Sequence, residues 1–361
     1  MSELTVGVEE EYHLVDAETW QLADAPEVVA EAEKLLGDVA RGEISTSQLE
    51  VASPVCTSLA EVRATLLRMR RGADEAARAH GCRLLPAATH PTATWRDQEL
   101  SADPRYVVLS ERFGLIALQQ LITGTHVHVG VPDPDLVIPV LDRLRPDLPV
   151  LLAMTGSSPY WEGADTRCSS FRTHWFAHFP VTGMPEVLGT RAEYDAVVAD
   201  LVATGVIGDA SHLYWDARPS NRFPTIEVRV GDAMPRLDDV VLHTGLVRSL
   251  VRTAMDDAVV GRPPVDLRPE LAKAARWRAA RHGLDDRLVD PRGAGLVPAH
   301  DVVRAMLDRL RPDLEEAGEW DEVHALTEDL LARGTSAARQ RAVGGSDLTA
   351  VTRSVCDELF A

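Results

Sequence analysis

Thr5-Val6-Gly7-Val8-Glu9-Glu10-Glu11-Tyr12-His13-Leu14 alternates apolar and charged side chains over ten residues. Successive side chains of a β-strand point to opposite faces. The period therefore sends Val6, Val8, Tyr12 and Leu14 one way and Glu9, Glu11 and His13 the other, with Glu10 the exception on the apolar side. The same rule applies to Gly124-Thr125-His126-Val127-His128-Val129-Gly130-Val131, where the valines take one face and His126 and His128 the other. In Thr225-Ile226-Glu227-Val228-Arg229-Val230 it separates the aliphatic residues from Glu227 and Arg229. Gln48-Leu49-Glu50-Val51 puts Glu50 opposite Leu49 and Val51, and Glu43 lies seven residues earlier on a possible approach strand. Four segments therefore each present an apolar, helix-packing face and a second face carrying Glu, His or Arg.

The rest of the chain agrees with an α+β fold. After about residue 238 the pattern is helical, over roughly 238–260, 267–282, 299–317, 319–333 and 346–360. Upstream, Pro26 opens a helix that Gly37 closes, and Ser58 with Glu61 forms a capping box for a long helix ending before Gly81. Asp103 and Pro104 start a helix expected to run to Gly124, and Thr190 with Glu193 is a second capping box, closed near Gly205. We expect one catalytic domain over 1–361, with a sheet-containing core in 1–235 and a helical part in 236–361. Residues 156–186 are irregular and rich in aromatic, Ser, Arg and His residues, the character of an ordered functional loop.

Composition narrows the function. The chain has 361 residues, 56 acidic and 37 basic, for a net charge of −19. Such a surface repels a nucleic-acid backbone. No apolar run reaches the length of a membrane span, and no leader-like pattern is present at the N-terminus, so a cytoplasmic protein is expected. Among the basic residues only Lys34 and Lys273 are lysine, both in amphipathic stretches, and there is no G-x-x-x-x-G-K-[ST] loop. Genomic base composition alone can produce this arginine excess. Any phosphate must nevertheless be neutralised by arginine and metal. Cys56, Cys82, Cys168 and Cys356 show no metal or disulfide spacing and read as free thiols.

If the four charged faces share one sheet, their Glu, His and Arg side chains converge. Clustered carboxylates repel, and a divalent cation offsets that repulsion; carboxylates with an occasional imidazole suit Mg²⁺ or Mn²⁺. Taken one at a time, each strand also fits an ordinary sheet with one face in water. The pair His126 and His128, with His174 and His178 four residues apart, also permits a zinc-dependent hydrolase. A non-catalytic nucleotide- or metal-binding protein is the third alternative. Asp165, Arg167 and Arg172 could clamp a carboxylate or phosphate. Trp95, Arg96, Arg105 and Tyr106 lie in a second segment whose relation to the strands the pattern leaves open.

Five segments together resemble the carboxylate-amine ligase family, the type 2 glutamate-cysteine ligase group related to glutamate-cysteine ligase and glutamine synthetase. They are Gly7-Val8-Glu9-Glu10-Glu11-Tyr12, Gln48-Leu49-Glu50-Val51, Gly124-Thr125-His126-Val127-His128-Val129-Gly130, Ser157-Ser158-Pro159-Tyr160-Trp161 and Thr225-Ile226-Glu227-Val228-Arg229. The resemblance covers about residues 4–235, the helical tail less specifically. It implies a cupped, mainly antiparallel sheet holding ATP and Mg²⁺ (or Mn²⁺) on its concave face. It also implies metal binding by Glu9, Glu11, Glu50, His126 and Glu227, with Arg229 beside the transferring phosphoryl group or the substrate carboxylate. Arg172 is implied as a substrate arginine, and Glu43 and His128 as additions to the site. The implied reaction joins the carboxyl group of glutamate or a similar acid to cysteine or another amine, through an acyl phosphate. A homodimer is a further expectation from the family.

Overall fold

The computed structural model describes residues 4–293, 295–345 and 347–361. Its main sheet has seven strands: β1 (Val6–Asp16), β2 (Ala40–Gly42), β3 (Gln48–Ala52), β4 (Cys82–Leu85), β5 (Gly124–Gly130), β6 (Ala217–Pro219) and β7 (Thr225–Asp232). The spatial order is β6-β7-β5-β1-β3-β2, with β4 also pairing with β1. Every pairing in this sheet is antiparallel. The mixed helix and antiparallel-sheet class read from the sequence is the observed one.

Apolar strand faces pack on helices on one side. Val6, Val8, Val127, Val129, Ile226, Val228 and Val230 share a core with Val140 and Leu141 of helix Val137–Leu144 and with Val240, Val247 and Leu250 of helix Leu237–Val259. Tyr12, Leu14, Leu49 and Val51 meet Val28 and Ala32 of helix Pro26–Leu36 and Met69 and Ala73 of helix Leu59–Ala79. Each fully buried aliphatic side chain contributes about 1.5–3 kcal/mol relative to exposure, so these faces fix which way the charged residues point.

Glu10, the exception in the alternation, is inside this core and paired. Arg70 is fully buried. Its Nη2 donates to Glu10 at 2.5 Å and to the Met234 carbonyl at 3.0 Å, and its Nη1 donates to the carbonyls of Pro235 and Leu359, both at 2.6 Å. Nε also donates to Glu10, at 3.1 Å, so all five guanidinium N–H groups are used. The Tyr12 hydroxyl supplies Glu10 with another hydrogen bond, at 2.9 Å.

Several boundaries differ from the sequence reading. The expected helix from Pro104 stops at Phe113 because Gly114 takes a positive φ of 55°; only Leu115–Leu118 follows before β5. Thr190 and Glu193 form the full capping box, whereas at Ser58 only half forms: Glu61 bonds Thr57 instead of the cap backbone. Helix Ser336–Gly344 was not anticipated, and the tail also contains a small hairpin, Arg287–Val289 with Leu296–Pro298. The irregular loop folds into the hairpin Tyr160–Trp161 and Ala164–Asp165 and helix Phe171–Phe176, which ends before His178. Among the described residues no helix is long and apolar enough to cross a membrane.

Candidate active site

Register brings the charged faces into one row. Glu9 lies opposite His126, Glu11 opposite Glu50, Glu50 opposite Arg41, and Glu227 opposite both His128 and Arg218. Two groups of potential ligand atoms result, Glu9/His126/Glu227 and Glu11/Glu43/Glu50, and within each group the atoms lie within 4.8 Å of one another. Glu43 follows directly on β2, so the approach strand suggested for it exists.

The two groups differ electrostatically. Burial pushes Glu9 upward, but hydrogen bonds from His126 and His128 outweigh it and hold the carboxyl well below its ordinary range. The Nδ1 of His126 lies 3.1 Å from Glu9 Oε2, and His128 Nε2 lies 3.4 Å from Oε1. Glu227 is likewise buried yet held low by Arg229 and Arg218, the latter at 3.0 Å. Burial, then the charge of Arg229, brings His126 down to about 4, so its imidazole is neutral at neutral pH and one ring nitrogen retains a lone pair.

The second group lacks that compensation. Burial and then the charge of Glu50 push Glu11 up to about 7. Glu43 is raised well above its ordinary value by burial and by Glu11 and Glu50, and Glu50 is raised by burial and Glu9 despite its ion pair with Arg41. Five carboxylates with one imidazole make an oxygen-rich donor set that fits one or two hard divalent cations.

Arg229 sits between the groups. It pairs with Glu227, its Nη1 is 3.5 Å from His126 Nδ1, and the charges of Glu11 and Glu9 also act on it. Arg172 is buried at the Glu11 end, with Nη2 donating to the Arg229 carbonyl at 3.3 Å. Of the other loop candidates, Asp165 pairs with Arg341 at 2.8 Å, and Arg167 offers its carbonyl to Arg281. Tyr106 reaches Glu43, so part of the second segment does approach the cup; Trp95 and Arg96 instead line a cleft with Ile44 and Leu118.

The four histidines do not come together as one set of ligands: among the described residues neither ligand group contains His128, His174 or His178. His128 Nδ1 is 3.0 Å from the Thr225 hydroxyl, His174 lies against Trp277, and His178 is beside Trp175. Sequence reasoning missed Arg41, Arg218 and Asp232. The first two face Glu50 and Glu227 across β-pairings whose register no local pattern announces.

A model of Glutamate-cysteine ligase family 2 (GCS2) matches residues 5–356. This chain belongs to that family. It is 39% identical over 360 residues to "Putative glutamate--cysteine ligase 2" of Rhodopirellula baltica, a match covering 98% of this chain and 96% of the relative. It is 41% identical over 338 residues to "Putative glutamate--cysteine ligase 2-3" of Frankia alni, covering 94% of this chain but 39% of that longer protein. Among solved structures, glutamate–cysteine ligase from Francisella tularensis in complex with AMP superimposes with a TM-score of 0.72 at 14% identity, over 99% of this chain and 89% of that one. At that identity the likeness speaks for the fold. The family member therefore has a ligase fold carrying an acidic cup.

Proposed function

We propose that this family member is an ATP-dependent carboxylate-amine ligase of the glutamate-cysteine type, acting as one catalytic domain over 1–361. The observation that carries the reading is the pair of ligand groups on one sheet face with Arg229 between them. That the Francisella ligase of the same fold was solved in complex with AMP supports a nucleotide ligand.

A carboxylate resists attack by an amine because its oxygen leaves poorly. In the proposed reaction a carboxylate oxygen of the substrate attacks the γ-phosphorus of ATP and ADP departs. The amine then adds to the acyl carbon, loses its proton and expels phosphate. Phosphoryl transfer depends on positioning and charge neutralisation more than on covalent help. Glu9, His126 and Glu227 would hold one Mg²⁺ or Mn²⁺ and Glu11, Glu43 and Glu50 a second. Bound there, the cations would neutralise phosphate oxygens and polarise the bond being broken. Arg229, between the two groups, would offset the charge that develops on a transferring phosphoryl group. Arg172 offers a planar fork to a substrate carboxylate.

The test is ADP release with Mg²⁺, glutamate and a panel of amines that includes cysteine. Release should require all components and fall by at least about 100-fold in Arg229→Ala, the scale of losing a preorganised charge at the reacting group. Absence of amine-dependent ADP in every pairing, or an undiminished Arg229→Ala rate, refutes the reading.

A further inference from the structure

The last strand of the cup contains an irregularity with a consequence for Arg172. On β7, Val228 pairs with Val127 but the next partners are Gly231 with Thr125 and Asp232 with Gly124, so one extra residue is inserted between them. In a regular strand Glu227 and Asp232, five apart, would face opposite sides of the sheet. The bulge shifts the parity by one and brings Asp232 onto the face that carries Glu227.

There Asp232 is fully buried. It accepts the Ser157 backbone N–H at 2.9 Å and the hydroxyls of Ser158 and Ser170, both at 2.7 Å. Arg172 Nη1 lies 3.8 Å from its Oδ1. Ser158 in turn accepts the Arg172 backbone N–H at 3.1 Å, so the same network holds both ends of the arginine. The opposite side of the guanidinium is packed on Gly124: a Cβ built there would lie 2.5 Å from Nη2 and 3.0 Å from Cζ. Such a contact requires the arginine to move. Phe176 lies beneath the guanidinium at 5.7 Å.

We propose that Asp232 is a positioning residue, placed on the functional face by the β7 bulge, which aims Arg172 across Gly124 at the substrate carboxylate. The inference rests on the ligase reading for Arg172's role. Asp232 touches no substrate; it acts through the arginine.

Steady-state kinetics, varying the carboxylate and MgATP separately, test this. Arg172→Ala should raise KM for the carboxylate by about tenfold or more and leave KM for ATP within about twofold, as expected for loss of one charged substrate contact. Asp232→Asn and Gly124→Ala should each reproduce that selective rise. In an Arg172→Ala background, Asp232→Asn should add nothing further, because residues acting through one group are not additive. Effects that multiply, or that fall equally on ATP and carboxylate, overturn the proposal. If Asp232→Asn does not fold, Ser158→Ala, which removes one of its hydrogen bonds, takes its place with the same double-variant criterion.

An unchanged carboxylate KM in Arg172→Ala would instead refute the role given to that arginine by the ligase reading. Should no pairing release ADP at all, that reading fails, and phenylglyoxal labelling of Arg172 followed by peptide mass spectrometry still decides the positioning. Asp232→Asn and Gly124→Ala should increase labelling at Arg172 specifically; unchanged labelling overturns the proposal.

Discussion

Glu11→Gln should make the metal-free protein more stable while weakening its response to divalent cations. The side-chain oxygens of Glu11, Glu43 and Glu50 lie within 4.8 Å of one another. Two unit charges at that separation repel by about 3.5 kcal/mol at an effective dielectric constant near 20, so removing one ionised carboxylate relieves two pairs, about 7 kcal/mol. Lost attraction to Arg172 and Arg229 and partial protonation of the cluster offset roughly half of this, leaving about 3 kcal/mol. Glutamine keeps an oxygen to accept the Gly124 N–H, which Glu11 accepts at 2.6 Å, so no buried donor is orphaned. For a chain of 361 residues, unfolding entropy of about 0.76 kcal/mol/K converts 3 kcal/mol to a rise of about 4 °C. The assay is thermal unfolding at pH 8 in EDTA and again in millimolar Mg²⁺ or Mn²⁺. The parent should gain stability on adding metal and the variant should gain much less. A variant less stable than the parent in EDTA, or an equal metal shift in both, refutes the idea that this cluster is an under-compensated cation site.

Removing the buried partner of Arg70 should be costly: Glu10→Ala leaves a desolvated guanidinium without its counter-charge and is expected to destabilise by about 3–5 kcal/mol in denaturant unfolding. His243 is fully buried, and burial depresses it to about 4. The unfolded chain therefore binds a proton that the folded one excludes, so this contribution is complete above about pH 6.5 and is lost as pH falls towards 4. Over that window the stability difference between parent and His243→Gln should change by about 1.4 kcal/mol per pH unit, and parallel pH profiles for the two proteins would contradict it. All four cysteines are buried and free. Burial also raises each thiol above its ordinary range. Ellman's reagent should consequently titrate no thiol in the native protein and four after denaturation.

The strand faces were legible because a two-residue period converts sequence directly into direction, and Glu9, Glu11, Glu50, His126 and Glu227 all arrived on one surface. Their division into two groups was not, because it depends on register between strands far apart in the chain. Glu10 could be marked as anomalous but not explained, since its partner lies 60 residues away on a helix. The overlong helix after Pro104 came from reading an apolar run without weighing Gly114, where a left-handed backbone breaks the hydrogen-bond ladder. Helix Ser336–Gly344 escaped because Ala, Arg and Gln give it no apolar stripe; Thr335 caps it, and Gln340 ties it to the Ser157 carbonyl at 2.8 Å. Asp232 was invisible for a related reason. Only a bulge puts it on the charged face, and bulges alter parity without changing composition.

The Arg70 junction also orders events in time. Its guanidinium joins the back of the first strand to the carbonyl of Leu359, which lies 289 residues after the arginine itself. Until synthesis has passed Leu359, one of the arginine's five donors has no native acceptor, and the Glu10 side of β1 stays short of its final packing. At about 5–20 residues per second of synthesis, that delay amounts to some tens of seconds. A nascent chain can therefore form the hairpins of the cup early but cannot lock their rear wall. Its acidic face is exposed to solvent cations before the scaffold that shapes it is complete, and cation-assisted refolding should accelerate steps that precede this closure rather than the closure itself.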